Sequence, residues 1–170
     1  MKLSDLPKIL FLDIETVPQQ ANLSDLPESL AHLWEDKFNL IRNRMPEKYD
    51  SETTADQAFA NSAGIYAEFG KIVCISVGFI YYKGLEKIYR TKSFAGKDER
   101  VVLIDFANML GKFCSTKEHT LCGHNIKEFD IPYICRRMLI NGLALPSILR
   151  VSGKKPWEIP HLDTLELWKF

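Results

Sequence analysis

Lys8-Ile9-Leu10-Phe11-Leu12-Asp13-Ile14-Glu15-Thr16-Val17-Pro18 decides how the rest of the chain is read. Ile9, Leu10, Phe11, Leu12 and Ile14 form a short, nearly continuous apolar run rich in strand-forming residues, and Pro18 ends it, which is the pattern of a strand buried on both faces. Two carboxylates interrupt the run. Side chains alternate across a strand, so Asp13 and Glu15 share one face and lie side by side. Like charges on a buried strand repel and are costly to desolvate. A hard divalent cation, which takes oxygen ligands, is the simplest group to compensate them. The plainer alternative is a pair of solvated acids at a frayed strand end.

Working outward, Leu23 to Ile41 has apolar residues at helical spacing, with Ser24 as N-cap, and Thr53 to Phe69 carries a second helical pattern that Gly70 would stop. Together they form a helical insert after the first strand. Lys71 to Tyr82 is the strongest strand pattern; Lys83-Gly84 supplies a turn, and Leu85 to Phe94 reads as its antiparallel partner. Asp98 to Cys114 is helical, Thr120 to Asn125 is a short strand, and Phe129 to Leu139 is a helix with Pro132 in its first turn. The expected fold is therefore α/β: a ribonuclease H-like mixed sheet, with a three-stranded antiparallel meander followed by alternating helix and strand. A doubly wound parallel sheet fits less well, because two of the strands are joined by a tight turn.

Bulk properties set the class. At 170 residues the chain fits one domain, and its 22 basic and 22 acidic side chains cancel, so net charge will not steer it to nucleic acid. Cys74, Cys114, Cys122 and Cys135 contain no Cys-x-x-Cys pair, and three lie in apolar segments, as reduced, buried small hydrophobes do. The N-terminus lacks a signal-peptide pattern and no apolar run reaches transmembrane length, from which a cytoplasmic protein with no membrane partner is expected.

A second motif changes the weight of the first. His124-Asn125-Ile126-Lys127-Glu128-Phe129-Asp130 puts an acid in the first turn of a helix that follows a strand. Alone, Asp130 reads equally well as an N-terminal acid favoured by the helix dipole. Phe-Leu-Asp13-Ile-Glu15-Thr16 and Gly-His124-Asn125-x-x-x-Phe129-Asp130, taken together and in this order, resemble the first two motifs of the DEDD (DnaQ-like) 3′–5′ exonuclease superfamily. The likeness is greatest to the proofreading exonuclease domain of family B DNA polymerases. Glu15 and Asp130 stand 115 positions apart, more than in the simplest members, and the helical insert accounts for the distance.

The resemblance implies that Asp13, Glu15 and Asp130 are catalytic and ligate two Mg²⁺ or Mn²⁺ ions, with Asp13 bridging them. It implies a substrate contact from Thr16 and either a substrate contact or an orienting role for Asn125, while Phe129 serves for packing beneath Asp130 or for substrate. The implied partner is single-stranded nucleic acid, DNA ahead of RNA, since nothing in the sequence reads a 2′-OH. A third motif, Tyr-x-x-x-Asp or His-x-x-x-x-Asp, is not found after Asp130. The chain therefore reads as C-terminally incomplete, with an open face that a second copy could bury as a homodimer, or as using Asp163 (or Glu166) as a substitute ligand. Only in that last case is His161 a candidate base; otherwise it reads as a surface residue after Pro160. Lys154, Lys155 and Trp157 could hold a phosphate backbone and stack a base, although a solvated loop is the plainer reading.

Two other functions fit less well. A haloacid dehalogenase-type phosphatase also begins with a strand bearing paired acids, but its second acid is Asp and its sheet parallel. A degenerate nuclease fold serving as a nucleic-acid or protein binding module would explain the missing third motif, but not the retention of three acids.

Overall fold

The computed structural model describes residues 3–114, 116 and 118–169. The chain divides into two compact units: Met1–Glu15 with Ile72–Phe170, and Thr16–Lys71. Five strands form one sheet in the order β3-β2-β1-β4-β5, where β1 is Ile9–Pro18, β2 Gly70–Lys83, β3 Glu86–Ala95, β4 Thr120–Gly123 and β5 Leu162–Asp163. β2 and β3 pair antiparallel, whereas β4 runs parallel to both β1 and β5. Helices α1 (Glu28–Arg44), α2 (Ala55–Ser62), α3 (Glu99–Phe113), α4 (Asp130–Ile140) and α5 (Thr164–Trp168) complete the architecture. This mixed sheet with helices is the expected ribonuclease H-like fold. The β2–β3 hairpin is incompatible with the parallel sheet of the phosphatase alternative.

β1 departs from its expected burial. Leu10, Leu12 and Ile14 are buried, but Phe11, Asp13, Glu15 and Val17 are exposed on the opposite face. From Leu10 to Glu15 alternation thus replaces burial on both faces, with Ile9 alone buried on the open side, and Asp13 and Glu15 stay exposed to solvent. On the covered face, α3 contributes Val102, Leu103, Phe106 and Leu110 to the core and α4 contributes Ile131, Ile134 and Met138. Asp98 caps α3, accepting from Arg100 N at 2.9 Å and Val101 N at 3.4 Å.

A buried ion pair ties three elements together. Arg137 on α4 donates from Nε to Glu99 at 2.8 Å, and its guanidinium closes on the second carboxylate oxygen at 2.5 Å. Asn141 Nδ2 at 3.0 Å and Ile72 N at 2.7 Å complete the set. Burial alone would raise the Glu99 carboxyl; these donors hold it below its ordinary value.

The second unit holds the helical insert, with boundaries that proline and capping shift. The helix expected from Leu23 begins only at Glu28, because Pro27 occupies its N-cap and the preceding Leu23–Asp25 forms a 3-10 turn. α2 starts after Thr54, whose side chain accepts from Gln57 N at 3.3 Å while Gln57 Oε1 accepts from Thr54 N at 2.9 Å. It stops at Ser62, and Gly70 opens β2 rather than ending a helix. The core of this unit is aromatic: Trp34 meets Phe59 and Phe69 at 5.4 and 5.1 Å between ring centroids, and its Nε1 donates to Ala55 O at 2.9 Å.

Candidate functional site

Asp13 and Glu15 project from the exposed face of β1, and the residue between them makes the link that matters. Ile14 N donates to Asp130 Oδ1 at 3.1 Å, across 116 residues of sequence. The first residue of α4 is thereby pinned to the backbone of β1 at the level of the two strand acids. Asp130 is only 4% exposed. Burial pushes its carboxyl up to about 6, and the negative charge of Asp13 adds to that rise; the N–H groups of Asp130 itself and of Ile14 oppose it without prevailing. Asp13 and Asp130 therefore lie in each other's field.

The turn that delivers Asp130 depends on two backbone features. A side chain at Gly123 would place its Cβ 2.7 Å from Leu12 O, so only glycine lets the end of β4 lie this close to β1. Asn125 then adopts φ +59°, in the left-handed region that asparagine tolerates better than most residues. Phe129 is the N-cap of α4, half-buried, and its ring packs 5.4 Å from that of Tyr133. Thr16 is half-buried further along β1.

Asp163 lies close enough to influence Asp130, but it is engaged differently. Its Oδ1 accepts from Asn125 N at 2.8 Å and Leu165 N at 2.9 Å, and its Oδ2 accepts from Lys127 N at 3.1 Å. Burial would raise this carboxyl; three backbone amides hold it below its ordinary value. It caps α5 and fastens the loop after β4 to β5. Glu166 is exposed and pairs with Lys127 Nζ at 2.8 Å.

His161 corrects the reading as a surface residue. It is 3% exposed, because β5 adds to the sheet beside β4 and draws it inside. Leu121 N donates to its Nδ1 at 3.3 Å, so the proton sits on Nε2, which donates to Ile148 O at 3.1 Å. Burial keeps this imidazole neutral, lowering it to about 4. The loop 150–160 carries an exposed Trp157, with Lys155 Nζ 5.1 Å from its ring centroid.

The sequence reading gave no role to His124, which shares an open groove with Asp13. Thr164 Oγ1 donates to Gly123 O at 3.2 Å, so His124 Nδ1–H donates to that hydroxyl at 3.1 Å and leaves Nε2 as the basic nitrogen. Its place in the second motif, one residue before Asn125, was the available signal. Ser76 and Ser93 line the same groove, joined through their hydroxyls at 2.9 Å; no local pattern marks them. The four cysteines are free thiols, and burial raises those of Cys114 and Cys135 to about 11, consistent with inert packing.

In donor chemistry the acids suit a hard divalent cation: all are carboxylate oxygens, and a cation would relieve the opposition between Asp13 and Asp130. Among the described residues, however, no three His, Cys, Asp or Glu side chains converge into a group that could hold a metal ion. No helix among the described residues is long and apolar enough to cross a membrane. The family model for DNA polymerase family B, exonuclease domain, matches residues 7–161. No curated protein and no solved structure matches the chain.

Proposed function

Since the chain belongs to the family of exonuclease domains of family B DNA polymerases, and so to a nuclease family, we propose that it removes nucleotides from the 3′ end of single-stranded DNA. The products are nucleoside 5′-monophosphates, and Asp13, Glu15 and Asp130 are the catalytic acids. The observation that carries this reading is the hydrogen bond from Ile14 N to Asp130, which joins the two sequence motifs at one point of the fold.

Asp13 and Glu15 offer exposed carboxylates side by side, and Asp130 supplies a third from a buried position fixed by that bond. In this reading these are the residues that would hold two Mg²⁺ or Mn²⁺ ions, although their side chains do not converge into a metal-holding group as the structure stands; when bound, the ions would supply an activated water and stabilise the leaving oxygen. Asn125, held in its unusual backbone conformation by Asp163, carries a side-chain amide without a hydrogen bond among the described residues and is available to the substrate. Thr16 and Phe129 flank the acids in sequence and contact the terminal nucleotide in this reading. Asp163, with three amides on its oxygens, orients the loop rather than acting as a ligand.

The test is degradation of single-stranded oligonucleotides labelled at either end, with Mg²⁺ or Mn²⁺, by the protein and its Asp13→Ala variant. A labelled mononucleotide released at once from the 3′-labelled strand, a ladder from the 5′-labelled strand, and loss of both in the variant are expected. Activity unaffected by Asp13→Ala, or release from the 5′ end first, would overturn the proposal. A second reading, a nuclease fold retained as a binding module, is favoured only by the absence of a three-ligand cluster among the described residues. Oligonucleotide binding without cleavage in either metal would support it.

A further inference from the structure

On the face of the sheet opposite Asp13, α3 is shorter than the hairpin it covers. Phe94 and Phe106 close the inner end of that interface at 6.0 Å, but α3 ends at Phe113, while β2 and β3 continue outward. A groove of about 450 Å³ remains, within the range of small-ligand and side-chain pockets. Its floor is apolar, made by Val77, Phe79, Met109 and Phe113. Its rim is cationic: Lys92 stands opposite Val77 and Arg90 opposite Phe79 in the hairpin register, and Lys112 faces them from α3. Among the described residues no acidic side chain lines it. Among the described residues Arg90, Lys92 and Lys112 form no ion pair; Arg90 rests over the Tyr81 ring at 5.5 Å and Lys92 over Phe94 at 4.5 Å.

We propose that this groove docks an acidic peptide segment of a protein partner, which inserts one apolar side chain between α3 and the hairpin and sets its carboxylates against Arg90, Lys92 and Lys112. Charge complementarity selects the occupant: three cations around an apolar floor match alternating acidic and apolar side chains. Nucleic acid fits less well for two reasons. The strand cleaved at Asp13 would lie across Ser76 and Gly78, on the other face of β2. The ring faces needed for base stacking are already taken, since Phe79 and Phe113 pack at 5.4 Å, Phe113 meets His119 at 5.2 Å, and Arg90 covers Tyr81. Only the path of the cleaved strand rests on the nuclease reading; the apolar floor, the cationic rim and the occupied ring faces do not.

The test uses two fluorescein-labelled 12-residue peptides of Glu, Leu and Phe, one with apolar residues at helical period and one alternating, titrated with the full chain by fluorescence anisotropy. Saturable binding of at least one peptide is expected, falling with salt and weakened tenfold or more by Arg90→Glu with Lys112→Glu. Nuclease activity should be unchanged by that pair. If the charge reversals lower the melting temperature, Arg90→Gln with Lys112→Gln replaces them, with the same direction of effect at smaller size. Absence of binding by both peptides, binding indifferent to the substitutions, or full displacement by a thymidine 12-mer would each overturn the proposal, the last in favour of nucleic acid.

Discussion

Asp130 and Asp163 are buried to the same extent, each 4% exposed, and each lies within reach of the other's charge, yet the fold treats them in opposite ways. Asp163 receives backbone N–H groups from Asn125, Lys127 and Leu165 and is held below the ordinary carboxylate range. Asp130 receives Ile14 N and its own N–H, faces Asp13, and is raised to about 6. A carboxylate whose donors are all supplied by the chain is part of the structure. One left partly uncompensated beside a second acid is poised for a positive group from outside the chain. The buried Glu99, with Arg137 against it, belongs with Asp163.

The largest effect expected from this contrast is at Asp163. Asp163→Ala strips acceptors from three amides and should cost on the order of 3 kcal/mol in urea unfolding, with Asp163→Asn recovering part of it. A loss below about 0.5 kcal/mol would place Asp163 among ordinary surface substitutions and break the comparison.

Asp130→Asn should move stability the other way. The folded carboxyl titrates near 6 and the unfolded one at 3.8, so the native state holds its proton more tightly. Its contribution is therefore complete below about pH 4 and is lost as pH rises through 6. At pH 7, without divalent cation, the asparagine variant should be more stable than the parent by on the order of 2 kcal/mol, a gain that vanishes at pH 4. His161 acts with the opposite sign: its neutral folded form, at about 4 against 6.5, loses stability as pH falls through the same window. The difference in melting temperature between variant and parent across pH removes that shared term; a flat difference would show that Asp130 is not strained.

The smallest effect sharpens the reason for the contrast. Mg²⁺ or Mn²⁺ at about ten times its dissociation constant should stabilise the parent by about 1.4 kcal/mol and lower the Asp130 titration, with neither change in Asp13→Ala. Identical melting curves in cation and in chelator would leave the acids without the group that compensates them.

Much of the fold was legible because it rests on periodicity and turn chemistry. The β2–β3 hairpin, α3, and Pro132 in the first turn of α4 all follow from neighbours in sequence. The misreadings have equally local causes or none at all. Pro27 lay inside the helix expected from Leu23 and moved its start. A run such as Ile9–Ile14 cannot reveal that one of its faces stays open, because periodicity does not report what packs above it. Burial of His161 depends on β5, a two-residue strand too short to carry a pattern.

By itself the sequence determined the alternation that sets Asp13 and Glu15 on one face, the helix that begins at Asp130, and membership of an exonuclease family, since each depends on residue types at short spacing. Tertiary structure alone decided which acids differ in chemistry. The titration of a carboxyl depends on desolvation, on the amides that reach it and on the charges around it, and several of these come from far along the chain: Ile14 N is 116 positions from Asp130, and Asn125 N and Lys127 N are 38 and 36 positions from Asp163. The same holds for the cationic groove beside α3, where the register of β3 against β2 and the point at which α3 stops bring together groups that no local pattern connects.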